Sequence, residues 1–371
     1  MKMVFIALVA ASVLMMTGCR ENVPARQLAE GEIAAILLTD GSGIDDRSFN
    51  AAAWQGLLNF YGETWGYTPT HASLFNFMTA EDELAFIPNM RLAVDEGFDL
   101  IIAAGFTWED AVRQVAGLYP DRNFLLVDVD GLGLPNVMEA VFAEHEGSFL
   151  VGAAAALTAV EEGIENPRFG FIGGIAGTVI TRFHVGFAQG VLSVIPGADI
   201  LDFYVNSWDE PALARTQAFN WFNDGVFAIF SAAGASGNGT IVEAVAQRQA
   251  GRNVWAIGVD YDQFHVGLYP SHTEGPNSAV LTSMLKRVEE SVVYALAAVA
   301  EGDFYGRTIV FDLPMDGVGF STTNPALSPA VIEQVEAKRQ AIIAGDIVVA
   351  PTLAEAMLLP GFPQDLMAID G

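Results

Sequence analysis

The 371 residues, 52% of them apolar and only 17% charged, suffice to bury two cores of ordinary size, which excludes a disordered chain. The 45 acidic residues outnumber the 17 basic ones to a net charge of -28, so most of the surface repels a phosphate polymer and nucleic acid is not an expected partner. Five histidines without ligand spacing and a single cysteine argue against a metal centre, and no cofactor is expected.

The chain opens on Lys2, followed by an apolar run from Val4 to Met16 and then Thr17-Gly18-Cys19. The run has the length of a signal-peptide core and is too short to span a bilayer. Small residues before a cysteine resemble a lipobox, which implies cleavage there and acylation of Cys19. A solitary cysteine cannot form an internal disulfide, and acylation explains both its presence and its position. Residues 1–19 are therefore expected to be a signal peptide and 20–31 a polar tether. The lipid would be the sole membrane anchor of an extracytoplasmic protein on a bacterial cell membrane.

From Glu32 onward, short runs that are apolar on both faces alternate with helical patterns. Ile33–Leu38, Leu100–Ala104, Phe124–Val129, Phe169–Ile172, Ile200–Val205, Val226–Ser231 and Val254–Val259 read as buried parallel strands. Helices are predicted over Ala51–Gly62, Ala80–Glu96, Thr107–Leu118, Gly147–Val160, Val179–Val194, Pro211–Asp224 and Gly239–Ala250. The order predicts an α/β protein with doubly wound parallel sheets. The pattern pauses at Asn136–Glu146 and restarts, so two lobes are expected. After Asp260 come an extended stretch (Ala279–Met284), a helix (Leu285–Ala300), a strand-like Thr308–Leu313 and a closing helix (Pro329–Ala344). These read as chain returning to the first lobe and then to the second. The expected lobes are 32–142 plus about 262–305, and 143–261 plus about 306–371, joined by a multi-stranded hinge.

Ligands bind outside the carboxyl ends of the strands of an open parallel sheet, and the unusual loops of this sequence fall there. The first is Asp40-Gly41-Ser42-Gly43-Ile44-Asp45-Asp46-Arg47-Ser48-Phe49-Asn50, followed by Trp54. Similar loops recur as Gly105-Phe106-Thr107-Trp108-Glu109-Asp110, Asn206-Ser207-Trp208-Asp209-Glu210, Ala233 to Gly239, and Asp260-Tyr261-Asp262-Gln263. Flat rings beside carboxylates, amides and glycine turns suit an aromatic ligand that also carries several hydroxyls. Asp260, at the end of an apolar strand, needs a partner, and Lys286 is the expected one.

An enzyme is the weaker reading. Gly170 to Gly177 lacks the spacing of a nucleotide fingerprint, and Gly234 to Gly239 has no lysine-serine/threonine ending. Around Ser236 the sequence misses a nucleophile elbow, because Asn238 stands where its last glycine belongs.

Five stretches together resemble the basic membrane protein family of ABC-transporter binding lipoproteins, which includes purine nucleoside receptors. They are Asp46 to Asn50, Glu146 to Gly152, Gly170 to Gly174, Gly258 to Gln263 and Thr282 to Arg287. The resemblance implies a type I periplasmic-binding-protein fold closing on a purine nucleoside such as adenosine, guanosine or inosine, a monomer, and ABC permease and ATPase partners. It implies a base sandwiched by Trp54, with Phe49 beside it, and Trp208, tryptophans where relatives often use phenylalanine or tyrosine. Asn50 and Asp110 would read the base, and Asp260, Gly234 and Lys286 would hold the ribose. Asp45, Asp46, Ser48 and Phe106 complete the expected ligand-binding set. A surface lipoprotein that senses the ligand without feeding a transporter would have the same fold and site.

Overall fold

The computed structural model describes residues 26, 28, 29, 31–270 and 277–366; the leader, Cys19 and most of the tether lie outside them. Runs apolar on both faces become central strands, because a strand between two helical layers shows neither side to water. In chain order, β1 (Ala35–Thr39), α1 (Phe49–Tyr61), β2 (Phe75–Thr79), α2 (Phe86–Asp95), β3 (Leu100–Ala103), α3 (Glu109–Leu118), β4 (Asn123–Val127) and β5 (Val137–Phe142) build the first lobe. The second begins with α4 (Glu144–Glu161), β6 (Arg168–Gly173), α5 (Thr178–Leu192), β7 (Asp199–Tyr204), α6 (Pro211–Asn223), β8 (Val226–Ala232), α7 (Asn238–Gln249) and β9 (Trp255–Asp260). A short antiparallel pair, β10 (Leu268–Tyr269) and β11 (Asn277–Ser278), precedes β12 (Val280–Lys286). Then follow α8 (Val288–Glu301), β13 (Arg307–Phe311), β14 (Val318–Phe320), α9 (Pro329–Ile343) and α10 (Leu353–Ala356).

The long strands form two six-stranded sheets of matching order, β2-β1-β3-β4-β5-β13 and β7-β6-β8-β9-β12-β14. Pairing is parallel throughout both except for β14, which runs antiparallel to β12. In each sheet the winding reverses beside the first strand, β1 or β6, and a crevice opens at the carboxyl ends on either side of that reversal.

Three segments cross between the lobes: Ala143, Arg287, and the turn from Asp312 to Gly317. The crossing expected near 262 falls after Lys286 instead, because Val280–Lys286 pairs along β9 and stays in the second sheet. The crossing expected near 306 falls after Phe311, because Arg307–Phe311 pairs along β5 in the first sheet. Helix α8 packs on α1 in the first lobe, and α9 on α4 in the second.

Five strands escaped the sequence pattern: the short β10, β11 and β14, and two longer ones. Strand β5 lies in the apparent pause because a carboxylate, Glu139, interrupts its apolar run. That side chain is buried and accepts N–H bonds from Gly131, Leu132 and Gly133 and the Thr308 hydroxyl, so the charge is satisfied inside the fold. Strand β2 is a sheet edge with exposed residues at Asn76 and Phe77 and lacks the two-sided apolar signature.

Alternate residues of β1 feed different cores: Ile36 and Leu38 join α2 and α3 residues, Ala35 and Leu37 the α1 and α8 residues that cover the other face. The latter cluster continues into the second lobe through Phe169, Phe171 and Phe187, so one apolar body runs under the crossings. Glycine permits the close approach of α4 and α5: a Cβ at Gly190 would lie 2.1 Å from the Phe149 carbonyl oxygen.

Candidate functional site

The carboxyl ends of both sheets meet in a cleft with about 600 Å³ of empty space, its mouth included. The first lobe contributes Asp40 and Ser42 after β1, Asp46, Phe49 and Asn50 from the turn into α1, Ala104 to Thr107 after β3, and Asp128 after β4. The second contributes Val179, Ile180 and Phe183 from α5, Trp208, Ala232 to Gly234 after β8, Asp260 ending β9, and Lys286 ending β12.

The α1 turn is fixed by an acid placed ahead of the helix. Ser48, at the cap position, makes no capping bond through its side chain. Instead the Asp46 carboxylate accepts N–H bonds of 2.9 Å from Ser48, Asn50 and Ala51. Asn50 is thereby held so that its Nδ2 donates to Asp40 Oδ1 at 2.9 Å, while its buried Oδ1 has no partner among the described residues. Three residues at this edge, Arg47, Asp128 and Asp260, adopt left-handed backbone with φ of +54°, +71° and +69°. Side-chain-bearing residues in that region concentrate at functional sites, where the surrounding packing holds the strain.

The two lobes grip each other around this turn. Asn238 Nδ2 donates to the Asp46 carbonyl at 2.9 Å, Gln263 Nε2 to the Arg47 carbonyl at 2.6 Å, and the Ser48 hydroxyl to Asp260 Oδ2. Nearer the mouth, half-buried Phe106 and Trp208 meet edge to face at 6.0 Å, one from each lobe. Trp208 lies flat on Gly174, where a Cβ would come within 2.1 Å of its ring. Ser236 braces the same loop, donating to the Ser207 carbonyl at 3.0 Å and accepting from the Glu210 N–H at 2.8 Å.

The inner end is charged and nearly dry. Lys286, 1% exposed, sets its ammonium 2.6 Å from Asp128 Oδ1 and 3.0 Å from Glu144 Oε1, with the rings of Phe49, Phe142 and Phe183 at 5.0, 4.9 and 5.4 Å. Burial opposes the ammonium, but Asp128, Glu144 and Asp260 together hold its pKa above the ordinary lysine value. The carboxyls feel the reverse. Burial pushes Asp128 up to about 6 against the pull of Lys286. Burial, aided by the charge of Asp260, pushes Asp46 up to about 7 despite its three N–H bonds. Asp260 is also raised by burial, with Lys286 and Ser48 opposing. The expected direct pairing of Asp260 with Lys286 is replaced: Lys286 pairs with Asp128 and Glu144, and Asp260 with Ser48.

Of the residues expected from sequence, Asp46, Phe49, Asn50, Phe106, Trp208, Gly234, Asp260 and Lys286 converge on the cleft. Four do not line it. Trp54 turns to the other side of α1 and packs on Phe75 and Phe77 of β2, both at 5.3 Å, because five residues past Phe49 a helix has rotated well away from the cleft. Asp110 is exposed in the first turn of α3, and Asp45 lies in a separate groove with Arg47 and Tyr261. Ser48 is buried behind the lining, against Asp260. Sequence reasoning missed Asp40, Asp128, Glu144 and the α5 face. Asp40 and Asp128 obey the strand-end rule that located the others, whereas Val179, Ile180 and Phe183 carry no signal separating them from core. No cluster of His, Cys, Asp or Glu able to hold a metal ion occurs among the described residues, and no described helix is long and apolar enough to cross a membrane.

Residues 33–352 match the family described as ABC transporter substrate-binding protein PnrA-like. A CD4+ T-cell-stimulating antigen of Listeria monocytogenes is 35% identical over 319 residues, 85% of this chain and 87% of that protein. The ABC transporter nucleoside-binding protein BmpA of Lactococcus lactis is 32% identical over 324 residues, 86% and 90% of the two chains. Among solved structures, an ABC transporter system solute-binding protein from Aeropyrum pernix superposes with a TM-score of 0.74 at 24% identity, covering 88% of this chain and 95% of that one. That likeness bears on the fold, the two-lobed arrangement of type I periplasmic binding proteins. With the family matched across both sheets and all three crossings, this chain belongs to the Bmp family of PnrA-like ABC transporter substrate-binding proteins.

Proposed function

We propose that this protein is the lipid-anchored, extracytoplasmic receptor of an ABC importer and encloses a purine nucleoside between its lobes. One observation supports the ligand most: the cleft is chemically divided along its length. Phe106 and Trp208 present ring faces and edges at one end, while Asp260 and Lys286 stand buried at the other. A nucleoside has the same division, a flat base and a hydroxylated sugar. Phe49 and Trp208 are the rings assigned to the base, with Phe106 alongside. The unpartnered Asn50 Oδ1 offers an acceptor to a ring N–H or an amino group, and Asp260, the Gly234 backbone and Lys286 serve the ribose hydroxyls. A relative named as a nucleoside-binding protein supports the same ligand class. Closing follows from contacts made with both lobes at once, which favour the shut arrangement over the open one.

The decisive experiment is calorimetric titration of the protein truncated after Cys19 and freed of carried-over ligand by unfolding and refolding. The panel is adenosine, guanosine, inosine, cytidine, sugars and amino acids. Tight, purine-selective binding is expected; a hit only among the sugars or amino acids would overturn the ligand and leave the family untouched. For the anchor, Cys19→Ser should release the protein from the membrane fraction, and retention there would refute acylation.

A further inference from the structure

Lys286 is the last residue of β12 in the second sheet, yet both carboxylates on its ammonium come from elsewhere. Asp128 follows β4 in the first sheet, and Glu144 opens α4 immediately beyond the Ala143 crossing. Nζ lies 2.6 Å from Asp128 Oδ1, 2.8 Å from Oδ2 and 3.0 Å from Glu144 Oε1. Asp128 holds this position on a left-handed backbone, φ +71°. An ammonium has three N–H bonds. Asp128 Oδ2 accepts one of them, Asp128 Oδ1 and Glu144 Oε1 attract the ammonium as close charges without an aligned hydrogen bond, and three phenyl rings crowd the flanks, so an N–H is left for the cleft that Lys286 lines.

We propose that Asp128, with Glu144 in support, is a positioning residue: it fixes the Lys286 ammonium across the lobe boundary so that its free N–H meets the vicinal hydroxyls of the ligand's sugar. This rests on the nucleoside reading and deepens it. A lysine side chain has four rotatable bonds and loses direction once its anchor is removed. Asp128 therefore converts a mobile cation into an aimed donor, and it does so only when both lobes are in place, linking sugar recognition to closure.

The variant Asp128→Asn keeps shape, removes charge and tolerates left-handed backbone. The full chain, purified in detergent, is titrated with inosine and adenosine and with their 2′,3′-dideoxy counterparts. The wild type is expected to favour each riboside by about tenfold or more, the worth of a hydrogen bond to a charged group. Asp128→Asn is expected to lose most of that preference, because its affinity for the ribosides falls further than its affinity for the dideoxy forms. Equal weakening of both forms, or an unchanged preference, would overturn the proposal, since a merely structural carboxylate does not discriminate between them. Should Asp128→Asn fail to fold, Glu144→Gln reads the same ratio: a narrowed preference supports the clamp and an unchanged one overturns it. A wild type that binds none of the four ligands would sink the nucleoside reading itself, a result distinct from a retained preference in the variant.

Discussion

The two ends of the cleft are built on opposite principles. The outer end is apolar and half exposed: Phe106 and Trp208 come from loops and meet across the lobe boundary, and Trp208 packs on Gly174. The inner end is polar and sealed: Asp128, Glu144 and Asp260 surround one lysine, all of them buried or nearly so. Rings tolerate a range of ligand outlines, because stacking has little directional demand. Buried charges tolerate very little, because each must be met by an opposite charge or a hydrogen bond. The comparison assigns affinity with loose selectivity to the outer end and strict geometry to the inner one.

Removing the central cation should have the largest effect. Lys286→Met leaves three carboxylates facing one another without water, and breaking a buried pair this way costs about 3–5 kcal/mol. Thermal unfolding should register a large drop in melting temperature, and titration a loss of binding; wild-type stability would refute the account of the inner end. At the outer end, Trp208→Ala removes one stacking face worth about 1–3 kcal/mol, so affinity should fall about tenfold or more with little change in melting temperature. Trp54→Ala should do the reverse, lowering stability through its lost packing on Phe75 and Phe77 while leaving affinity nearly intact. If Trp54→Ala weakened binding as much as Trp208→Ala, the placement of the cleft on one side of α1 would be wrong.

The last prediction is a pH dependence. Asp46 has its pKa raised to about 7 in the folded protein from an ordinary value of 3.8. A group raised by folding contributes stability at low pH and loses it as pH climbs from about 4 to about 7, by at most about 1.4 kcal/mol per pH unit. His184 and His145, lowered by burial to about 3 and 4, work in the opposite sense below neutrality. The clean measurement is therefore the difference in melting temperature between wild type and Asp46→Asn. It should shrink in the wild type's disfavour as pH rises from 4.5 to 7.5 (roughly the window set by the two pKa values). A difference that does not vary with pH would show that Asp46 is ionised throughout.

Most strands were readable from the chain because their apolar runs are two-sided; the strand-end rule led to the loops carrying Asp46, Phe49, Asn50, Phe106, Trp208, Gly234 and Asp260, and the family resemblance added Lys286. The failures share a cause. Glu139 hid β5 because a single charge in a short run looks like a loop until its four donors are seen. Trp54 and Asp110 were matched to the family pattern by position in the chain, which says nothing about which side of a helix faces the cleft. Lys286 was expected to start a helix, and its place at the end of β12 follows from pairing with β9 and β14, both remote in sequence.

The chain by itself determined the α/β class, the two-sheet plan and the loops that would meet, since these follow from local periodicity and from turn-formers at strand ends. Only the tertiary structure decided where the chain crosses between lobes, which carboxylate holds Lys286 and which tryptophan faces the cleft. Those depend on pairing between strands far apart in the chain and on the rotation of each helix about its axis, and neither is written in any short stretch of residues.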